Sequence, residues 1–175
     1  MRRLFLKGLG GVLAAAAVGP GRLLAGPREE RLLSFVQTHT HERITAPYFA
    51  NGDYLPEGLA RLSSFLRDHR TGDEHLIDPV LFDILNDLRL ATGTSAPFQV
   101  ISAYRSPRTN AMLRGNGHGV AKGSLHVEGR AIDVRLSDVR TSVLRDAALE
   151  PERGGVGYYR DSDVVHVDTG RVRRW

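Results

Sequence analysis

The sequence of 175 residues contains no cysteine. This absence excludes disulfide bonds, thiolate zinc sites, iron–sulfur clusters, a cysteine nucleophile and a lipoprotein anchor. A metal site in this chain must therefore use histidine, aspartate or glutamate. Long hydrophobic runs are scarce as well, because the apolar stretch of residues 8–18 is shorter than the roughly 20 residues that a membrane helix needs.

Excess charge is also missing from most of the chain. The net charge of +4 comes from the first 25 residues, which hold four basic and no acidic side chains. The rest of the chain carries 20 basic and 20 acidic side chains and is formally neutral. A neutral body without a basic stripe is not typical of nucleic-acid binding, so we predict no nucleic-acid partner.

The first 25 residues have the pattern of an export signal. Arg2-Arg3-x-Phe5-Leu6-Lys7 precedes the apolar stretch 8–18, and small residues follow up to Ala25. This pattern resembles a twin-arginine signal, the kind that exports folded proteins. We predict cleavage after Ala25 and a periplasmic or exported protein without a membrane span. An uncleaved segment that anchors the protein in the inner membrane is the alternative.

Residues 26–175 have the length and composition of one domain. Apolar residues at helical spacing predict helices over 56–67 and from Asp78 to Gly93, where Asp78-Pro79 is typical of a helix start. Shorter helices are predicted over 107–114 and 137–147. Alternation and composition predict a hairpin turn at Asn51-Gly52 and strands over 32–38, 98–103, 130–135, 155–159 and 164–168.

These elements predict an α+β fold. We expect a single compact domain in which helices flank a small antiparallel sheet.

The predicted strand 164–168 carries a candidate metal-binding side chain. Alternation puts His166 on the same face as Asp168 and turns Val165 and Val167 toward the core. His166 is therefore a candidate metal ligand. Asp168 is a candidate hydrogen-bond acceptor that orients the imidazole, with a solvent-facing strand end as the alternative.

The stretch of residues 124–133 supplies two more candidate ligands. A turn at Gly129 would let His126 stand opposite Asp133. Together with His166, these residues give two imidazoles and one carboxylate. That set suits Zn²⁺, which takes three protein ligands and one water in catalytic sites and lowers the pKa of the water to about 7.

A zinc hydrolase also needs a group that carries a proton. Our candidate is Asp163, which lies three positions before His166 at the entrance of the strand. A free aspartate has a pKa of about 3.9, so the role requires burial or a neighbouring carboxylate. An ordinary turn residue is the alternative for Asp163. Glu128 is a weaker candidate, because its loop position favours a solvated side chain.

Arg105 stands between the predicted strand 98–103 and the predicted helix 107–114. A guanidinium at this junction is suited to hold a substrate carbonyl or carboxylate and to stabilise a developing oxyanion. A structural salt bridge is the alternative. The neighbouring Tyr104 either lines the same groove or packs in the interior.

The other histidines give weaker signals. His39 and His41 would share one side of a strand, which permits a surface metal site or simply a polar strand end. His118 lies in the glycine-rich stretch 115–123, where it either contacts substrate or faces solvent. His69 and His75 receive no role.

Three motifs follow one another along the chain, and a fourth ends it. They are Tyr104-Arg105-Ser106, Ser124-x-His126-x-x-Gly129-x-Ala131-x-Asp133, His166-Val167-Asp168, and Asp168-Thr169-Gly170-x-Val172-Arg173-x-Trp175. Their order resembles the zinc peptidases of the Hedgehog/D-alanyl-D-alanine peptidase superfamily, in particular the exported YcbK-like murein endopeptidases of bacteria. The resemblance runs from about Leu32 to Trp175.

The resemblance implies a zinc peptidase-like domain over residues 26–175 and a role for each candidate. His126, Asp133 and His166 would bind one zinc ion, and Arg105 would bind or polarise the scissile carbonyl. The proton-carrying acid of the family falls on Asp163. The candidate substrate-binding residues are Ser124, His118 and Tyr104.

The function implied by the resemblance is amide hydrolysis in the peptide of peptidoglycan. Endopeptidase cleavage of cross-links is the first choice, and D,D- or L,D-carboxypeptidase trimming of stem peptides is the second. Some members of the superfamily carry another histidine where this chain has Val164, so part of the usual polar support is missing. A wall-binding module with little catalysis and a secreted Hedgehog-like signalling domain are therefore the remaining alternatives. We expect a monomer.

Overall fold

The computed structural model describes residues 29–115, 121 and 123–175. The predicted signal peptide and His118 lie outside these residues, so the boundary at residue 25 stays a prediction. The described residues form four helices, namely α1 (Pro56–Phe65), α2 (Pro79–Thr92), α3 (Pro107–Gly115) and α4 (Thr141–Leu149). They also form eight strands: β1 (Glu30–Gln37), β2 (Arg43–Ala50), β3 (Asp53–Tyr54), β4 (Phe98–Ser102), β5 (Ala131–Arg135), β6 (Gly155–Tyr159), β7 (Val164–Asp168) and β8 (Arg173–Arg174).

All eight strands belong to one sheet, in the order β3-β2-β1-β4-β5-β7-β6-β8. The β1–β4 and β6–β8 pairs are parallel, and the other five pairs are antiparallel. The α+β expectation of a small antiparallel sheet is therefore wrong in the size of the sheet and in its uniform direction. Strands of two residues, such as β8, are too short to show an alternating pattern in the sequence.

One hydrophobic core joins the sheet to α1, α2 and α4. The helices contribute apolar side chains at the helical spacing that the sequence showed, and the strands contribute every second residue. Among the largest buried side chains are Phe35, Phe82 and Phe98. None of the helices in the described part of the chain has both the length and the hydropathy of a bilayer span.

Most predicted element ends are confirmed. The Asp78 side chain accepts a hydrogen bond from the Val80 N–H at 3.0 Å, and Gly93 ends α2 in the left-handed conformation. Asn51 and Gly52 both have positive φ, as the predicted tight hairpin requires. The start of the last helix is wrong, because residues 137–140 form a bend and α4 begins only at Thr141.

Strands β5 and β7 position the site. Their alternation is confirmed, since Ile132 and Val134 of β5 and Val165 and Val167 of β7 belong to the core. The residues between them, Asp133 and His166, therefore lie on the opposite face of the sheet.

Candidate metal centre

Asp133 and His166 are direct partners across the antiparallel β5–β7 ladder. Residues paired in this way have Cβ atoms only about 5 Å apart, so their side chains meet. An oxygen of the Asp133 carboxylate lies 2.9 Å from Nδ1 of His166. The register of two central strands thus brings together residues that are 33 positions apart in the sequence.

His126 reaches the same point from a short 3₁₀ helix, Leu125–Glu128. Its Nε2 lies 3.3 Å from Asp133 Oδ2 and 3.3 Å from His166 Nδ1. Gly129 ends the 3₁₀ helix with φ 67°, and a Cβ there would lie 2.4 Å from the carbonyl oxygen of Leu76. The predicted turn at this glycine is therefore present, and it returns the chain directly into β5.

The nitrogen atoms that face the centre are free to bind a cation. Nδ1 of His126 donates to the Ala103 carbonyl at 2.7 Å, and Nε2 of His166 donates to the Asp168 carboxylate at 2.9 Å. In the neutral imidazoles, these donations leave lone pairs on the inward atoms, Nε2 of His126 and Nδ1 of His166. These two nitrogens and an Asp133 oxygen lie within 4.8 Å of one another. Lone pairs that point at one another repel unless a proton or a metal ion lies between them. The donor set therefore fits a metal ion.

The carboxylate of the centre is ionised at neutral pH. Burial by itself would raise the pKa of Asp133. Its interactions with the neighbouring imidazoles, that of His126 first, outweigh burial and hold the pKa of Asp133 well below its usual range. An ionised carboxylate beside two oriented imidazoles is what Zn²⁺ and related ions bind.

Asp168 holds His166 in place from the side away from the centre. Its carboxylate is fully buried and also accepts from the Arg173 guanidinium at 2.6 Å and from the N–H groups of Gly155 and Gly170. Burial would raise the pKa of Asp168, but these hydrogen bonds, with that from His166 first, hold it well below its usual range. The structure thus brings Asp168 to the orienting position, and the solvent-facing strand end is not observed.

Replacing Asp168 by asparagine is expected to weaken metal binding about 10- to 100-fold, because the imidazole loses the acceptor that fixes its tautomer. Competition with a chromogenic chelator measures the affinity for zinc. Glu128→Gln is the matched control, because Glu128 pairs only with the exposed side of Arg130. Equal zinc affinity in Asp168→Asn and in the unsubstituted protein would contradict an orienting role.

Arg105 lines the same site next to Asp133. Its guanidinium is buried, with one Nη 4.0 Å from an Asp133 oxygen, while Ser102 and Asn110 accept longer hydrogen bonds of 3.3 and 3.4 Å. The Nε atom is buried without a hydrogen-bond partner. Burial therefore lowers the pKa of Arg105 although Asp133 opposes that effect. A buried guanidinium with spare donors at a cavity is suited to bind an oxyanion.

The loop that carries Arg105 is fixed by its own main chain. The N–H of Arg105 donates to the His126 carbonyl at 3.1 Å, and the N–H of Tyr104 donates to the Leu66 carbonyl at 3.1 Å. Asp68 accepts from the N–H of Ser106 at 2.9 Å. Burial would raise the pKa of Asp68, yet hydrogen bonds from its neighbours lower it to about 2. The loop thus keeps its shape independently of the Arg105 side chain.

A cavity of about 590 Å³ opens over the candidate ligands. Arg105 and Ser124 line it, as predicted for carbonyl and substrate binding. Among the other lining residues, the three with aromatic or charged side chains received no role from the sequence: Tyr159, Arg173 and Trp175. The resemblance contained a signal for two of them, because the terminal motif includes Arg173 and Trp175, but the motif did not indicate where they lie.

Asp163 lies outside this cavity. It takes a left-handed conformation (φ 52°) just before β7, and its carboxylate accepts a hydrogen bond from Thr141 at the start of α4. It lines a different depression, beside residues 136–142. Asp163 precedes β7 and turns away in this left-handed conformation, so its spacing to His166 does not bring it to the metal side. The proton-carrying role of Asp163 therefore stays a prediction that these contacts do not support.

Other candidates also lie elsewhere. The Tyr104 ring stacks on His75, with ring centroids 4.9 Å apart, and is not among the described residues that line the cavity. Glu128 pairs with Arg130 at the surface. His39 stacks on the His69 ring instead of sharing a strand face with His41. Within the described residues, the group of His126, Asp133 and His166 is the one arranged to hold a metal ion.

Comparison with known proteins identifies the family. The family model described as peptidoglycan L,D-endopeptidase MepK, Peptidase_M15_2, matches residues 26–175. The chain belongs to this family. The chain is 44% identical to peptidoglycan L,D-endopeptidase MepK of Escherichia coli K12 over 173 residues, which are 97% of this chain and 94% of that protein. It is 38% identical to the probable peptidoglycan L,D-endopeptidase MepK of Haemophilus influenzae over 170 residues, 95% and 91% of the two chains.

Membership of the MepK family confirms the predicted resemblance to murein endopeptidases and the predicted class of enzyme, a peptidoglycan peptidase. The match also coincides with the predicted domain, residues 26–175. Peptidases of this family use a metal ion, which is consistent with the convergence of His126, Asp133 and His166. A peptidoglycan substrate in turn implies an exported or periplasmic protein.

Proposed function

We propose that this chain is a zinc-dependent endopeptidase that hydrolyses L,D amide bonds in the cross-links of peptidoglycan. The observation that carries the proposal is the convergence of His126, Asp133 and His166 within 4.8 Å beneath a cavity that also holds a buried arginine. The substrate in this proposal is inferred from the family and from the activity for which its relatives are named.

The donor set favours zinc over other divalent ions. Two imidazoles and one carboxylate match the three-ligand sites of catalytic zinc, whereas Mg²⁺ and Ca²⁺ prefer sites made of oxygen alone. The three ligands leave room on the cavity side for water and substrate. Bound there, zinc would supply Lewis-acid chemistry toward water and the scissile carbonyl.

Side chains around the cavity position the metal ligands and the substrate. His126 and His166 are held by Ala103 and Asp168, so the metal-binding nitrogens stay aimed at the centre without reorganisation. Arg105 offers N–H groups that bind the scissile carbonyl and stabilise the negative charge that develops on its oxygen. Ser124 lines the entrance and offers a hydroxyl to the peptide main chain.

The names of the two relatives specify an L,D bond. In peptidoglycan, a 3-3 cross-link between two diaminopimelate residues contains such a bond, because an L-centre acylates the amine of a D-centre. A 4-3 cross-link joins D-alanine to a D-centre instead. We therefore propose the 3-3 cross-link as the substrate.

Digestion of defined muropeptides tests this function. Purified protein with zinc is expected to convert a 3-3 cross-linked dimer to monomers and to leave a 4-3 dimer largely intact. Mass spectrometry of the products measures both outcomes. EDTA should stop the reaction, and added zinc should restore it. Shortened monomers without dimer cleavage would favour the carboxypeptidase alternative. Binding to isolated cell walls without zinc-dependent release of fragments would favour a wall-binding module.

Replacing Asp163 by asparagine distinguishes a structural role of this residue from a role in proton transfer. If the hydrogen bond to Thr141 is its only role, turnover of the 3-3 dimer should stay within about threefold, since the chemistry of the cavity is unchanged. Thr141→Val is the matched partner variant. A loss of about a hundredfold or more in Asp163→Asn, with zinc still bound and Thr141→Val active, would assign Asp163 the proton transfer instead.

Export by a twin-arginine signal is part of the same proposal. Arg2 and Arg3 precede an apolar stretch, and the family match begins at residue 26, directly after the predicted cleavage site at Ala25. A peptidoglycan substrate lies outside the inner membrane. An enzyme exported across that membrane would meet it there.

A further inference from the structure

The cavity beside the metal ligands has one large apolar wall, the indole of Trp175. This residue follows β8, and its ring centroid lies 5.1 Å from that of His166. About half of the residue, 49%, stays exposed, and it lines the cavity. A tryptophan side chain is one of the largest apolar surfaces that a protein can offer to a ligand.

The indole occupies space that a side chain of β6 would otherwise fill. Gly157 is the direct partner of His166 across the β6–β7 ladder, and a Cβ at this glycine would lie 2.7–2.9 Å from three atoms of the indole. The absence of a side chain at Gly157 therefore lets Trp175 lie beside the imidazole. Asp133 and Trp175 consequently flank His166 on its two sides.

Several contacts hold the ring in this place. The main chain of Trp175 donates to the Val156 carbonyl at 3.2 Å and accepts from the Tyr158 N–H at 3.0 Å. Its indole N–H donates to the Tyr159 hydroxyl at 3.0 Å, and the Arg173 guanidinium lies 4.9 Å from the ring centroid. The polar edge of the indole is thus satisfied. Its exposed apolar surface is already fixed before a ligand arrives, which lowers the entropy cost of binding.

We propose that Trp175 is the substrate-binding platform of this site and packs against the aliphatic side chain of a diaminopimelate residue at the cross-link. The inference rests on the proposed function. Diaminopimelate carries methylene groups between charged ends, and a rigid indole buries methylenes well. The guanidinium groups of Arg105 and Arg173 line the same cavity. Arg105 complements a carboxylate that flanks those methylenes, whereas Arg173 is already bonded to the Asp168 carboxylate.

Three substitutions separate a substrate platform from a support for His166. For cleavage of the 3-3 dimer, Trp175→Ala and Trp175→Leu should raise KM about tenfold or more with a smaller change in kcat, because buried aromatic contact area is lost. Trp175→Phe keeps a flat ring and should stay within about threefold. Zinc content should be unchanged in all three. Val172→Ala is the matched control, an exposed apolar residue of the same segment that lies outside the cavity.

A lowered kcat and a lowered zinc content at unchanged KM would overturn the proposal, because they would make Trp175 a support for the ligand His166. Equal kinetics of Trp175→Leu and Trp175→Phe would overturn it as well, because the ring would then have no role. Comparison of these two bulky variants does not depend on whether the alanine variant folds.

Fluorescence gives a second test that needs no turnover. Trp175 is the only tryptophan of the chain, so the indole emission reports on this residue alone. Titration of the zinc-loaded protein with an uncross-linked tripeptide muropeptide ending in diaminopimelate should change the emission in a saturable way. The dipeptide muropeptide, which lacks diaminopimelate, should not. An unchanged emission, or equal changes with both, would overturn the platform even if the 3-3 dimer is cleaved. Failure to cleave any cross-link would instead remove the proposed function and leave the emission result to decide whether Trp175 contacts diaminopimelate.

Discussion

Replacing His166 by alanine is expected to abolish zinc binding and hydrolysis together. The imidazole is one of the three proposed ligands and also touches Asp133, Asp168 and Trp175, so alanine at this position would remove a ligand and leave its partners without their contact. A bound metal ion contributes several kcal/mol to the stabilisation of the transition state, which corresponds to at least about a thousandfold in rate. Zinc content after dialysis and initial rates on the 3-3 dimer measure the two losses.

The same substitution at His69 is the matched control. His69 stacks on His39 and lies outside the cavity, so His69→Ala should retain zinc and near-normal rates. Circular dichroism and the unfolding temperature show whether the His166 variant is still folded. A folded His166→Ala protein that cleaves the dimer at a normal rate would exclude the metal centre as the catalytic site.

Replacing Arg105 by glutamine is expected to lower kcat about 10²- to 10³-fold while zinc stays bound, because a donor to the developing oxyanion is lost. The loop should keep its position, since it is held by main-chain hydrogen bonds to His126 and Leu66 and by Asp68. Arg105→Lys should recover only part of the rate, because an ammonium group lacks the planar fork of donors. Steady-state kinetics with zinc analysis of each variant give the result.

Arg108 provides the control for charge alone. It lies exposed on α3, three residues further along. Arg108→Gln removes the same charge and should leave kcat unchanged. Equal effects of the Arg105 and Arg108 variants would show that only the overall charge matters and would contradict a specific contact of Arg105 with the carbonyl.

The elements predicted with the greatest success were those with strong local signals. Asp78-Pro79 and Gly93 set the ends of α2, and Asn51-Gly52 set the hairpin, because each depends on backbone conformations that nearby residues determine. The start of α4 was wrong because Ser137 is a good capping residue in isolation, whereas the chain bends over residues 137–140 before the helix begins at Thr141. Local propensity does not include such tertiary constraints.

The candidate site was also predicted only in part from local signals. Strand alternation was sufficient to assign Asp133 and His166 to the face opposite the core. The spacing of three residues between Asp163 and His166 did not indicate on which side Asp163 lies, because the left-handed turn at this residue and its bond to Thr141 are not visible in the spacing. Tyr104 was left open between groove and packing, and nothing in the sequence indicated that its ring stacks on His75.

The amino-acid sequence alone indicated the chemistry that we propose for this protein: an export-type start, a chain without thiols, two histidines and an aspartate with metal-ligand character, and an arginine at a predicted strand-to-helix junction. Those features are patterns of residue type within short stretches of the chain. The tertiary structure decided which side chains meet. Ladder register sets His166 between Asp133 and the indole of Trp175, while Asp163, just before the strand, turns to Thr141. Contacts of this kind join residues far apart in the chain, and their geometry depends on how the strands pair and pack, which no short stretch of sequence encodes.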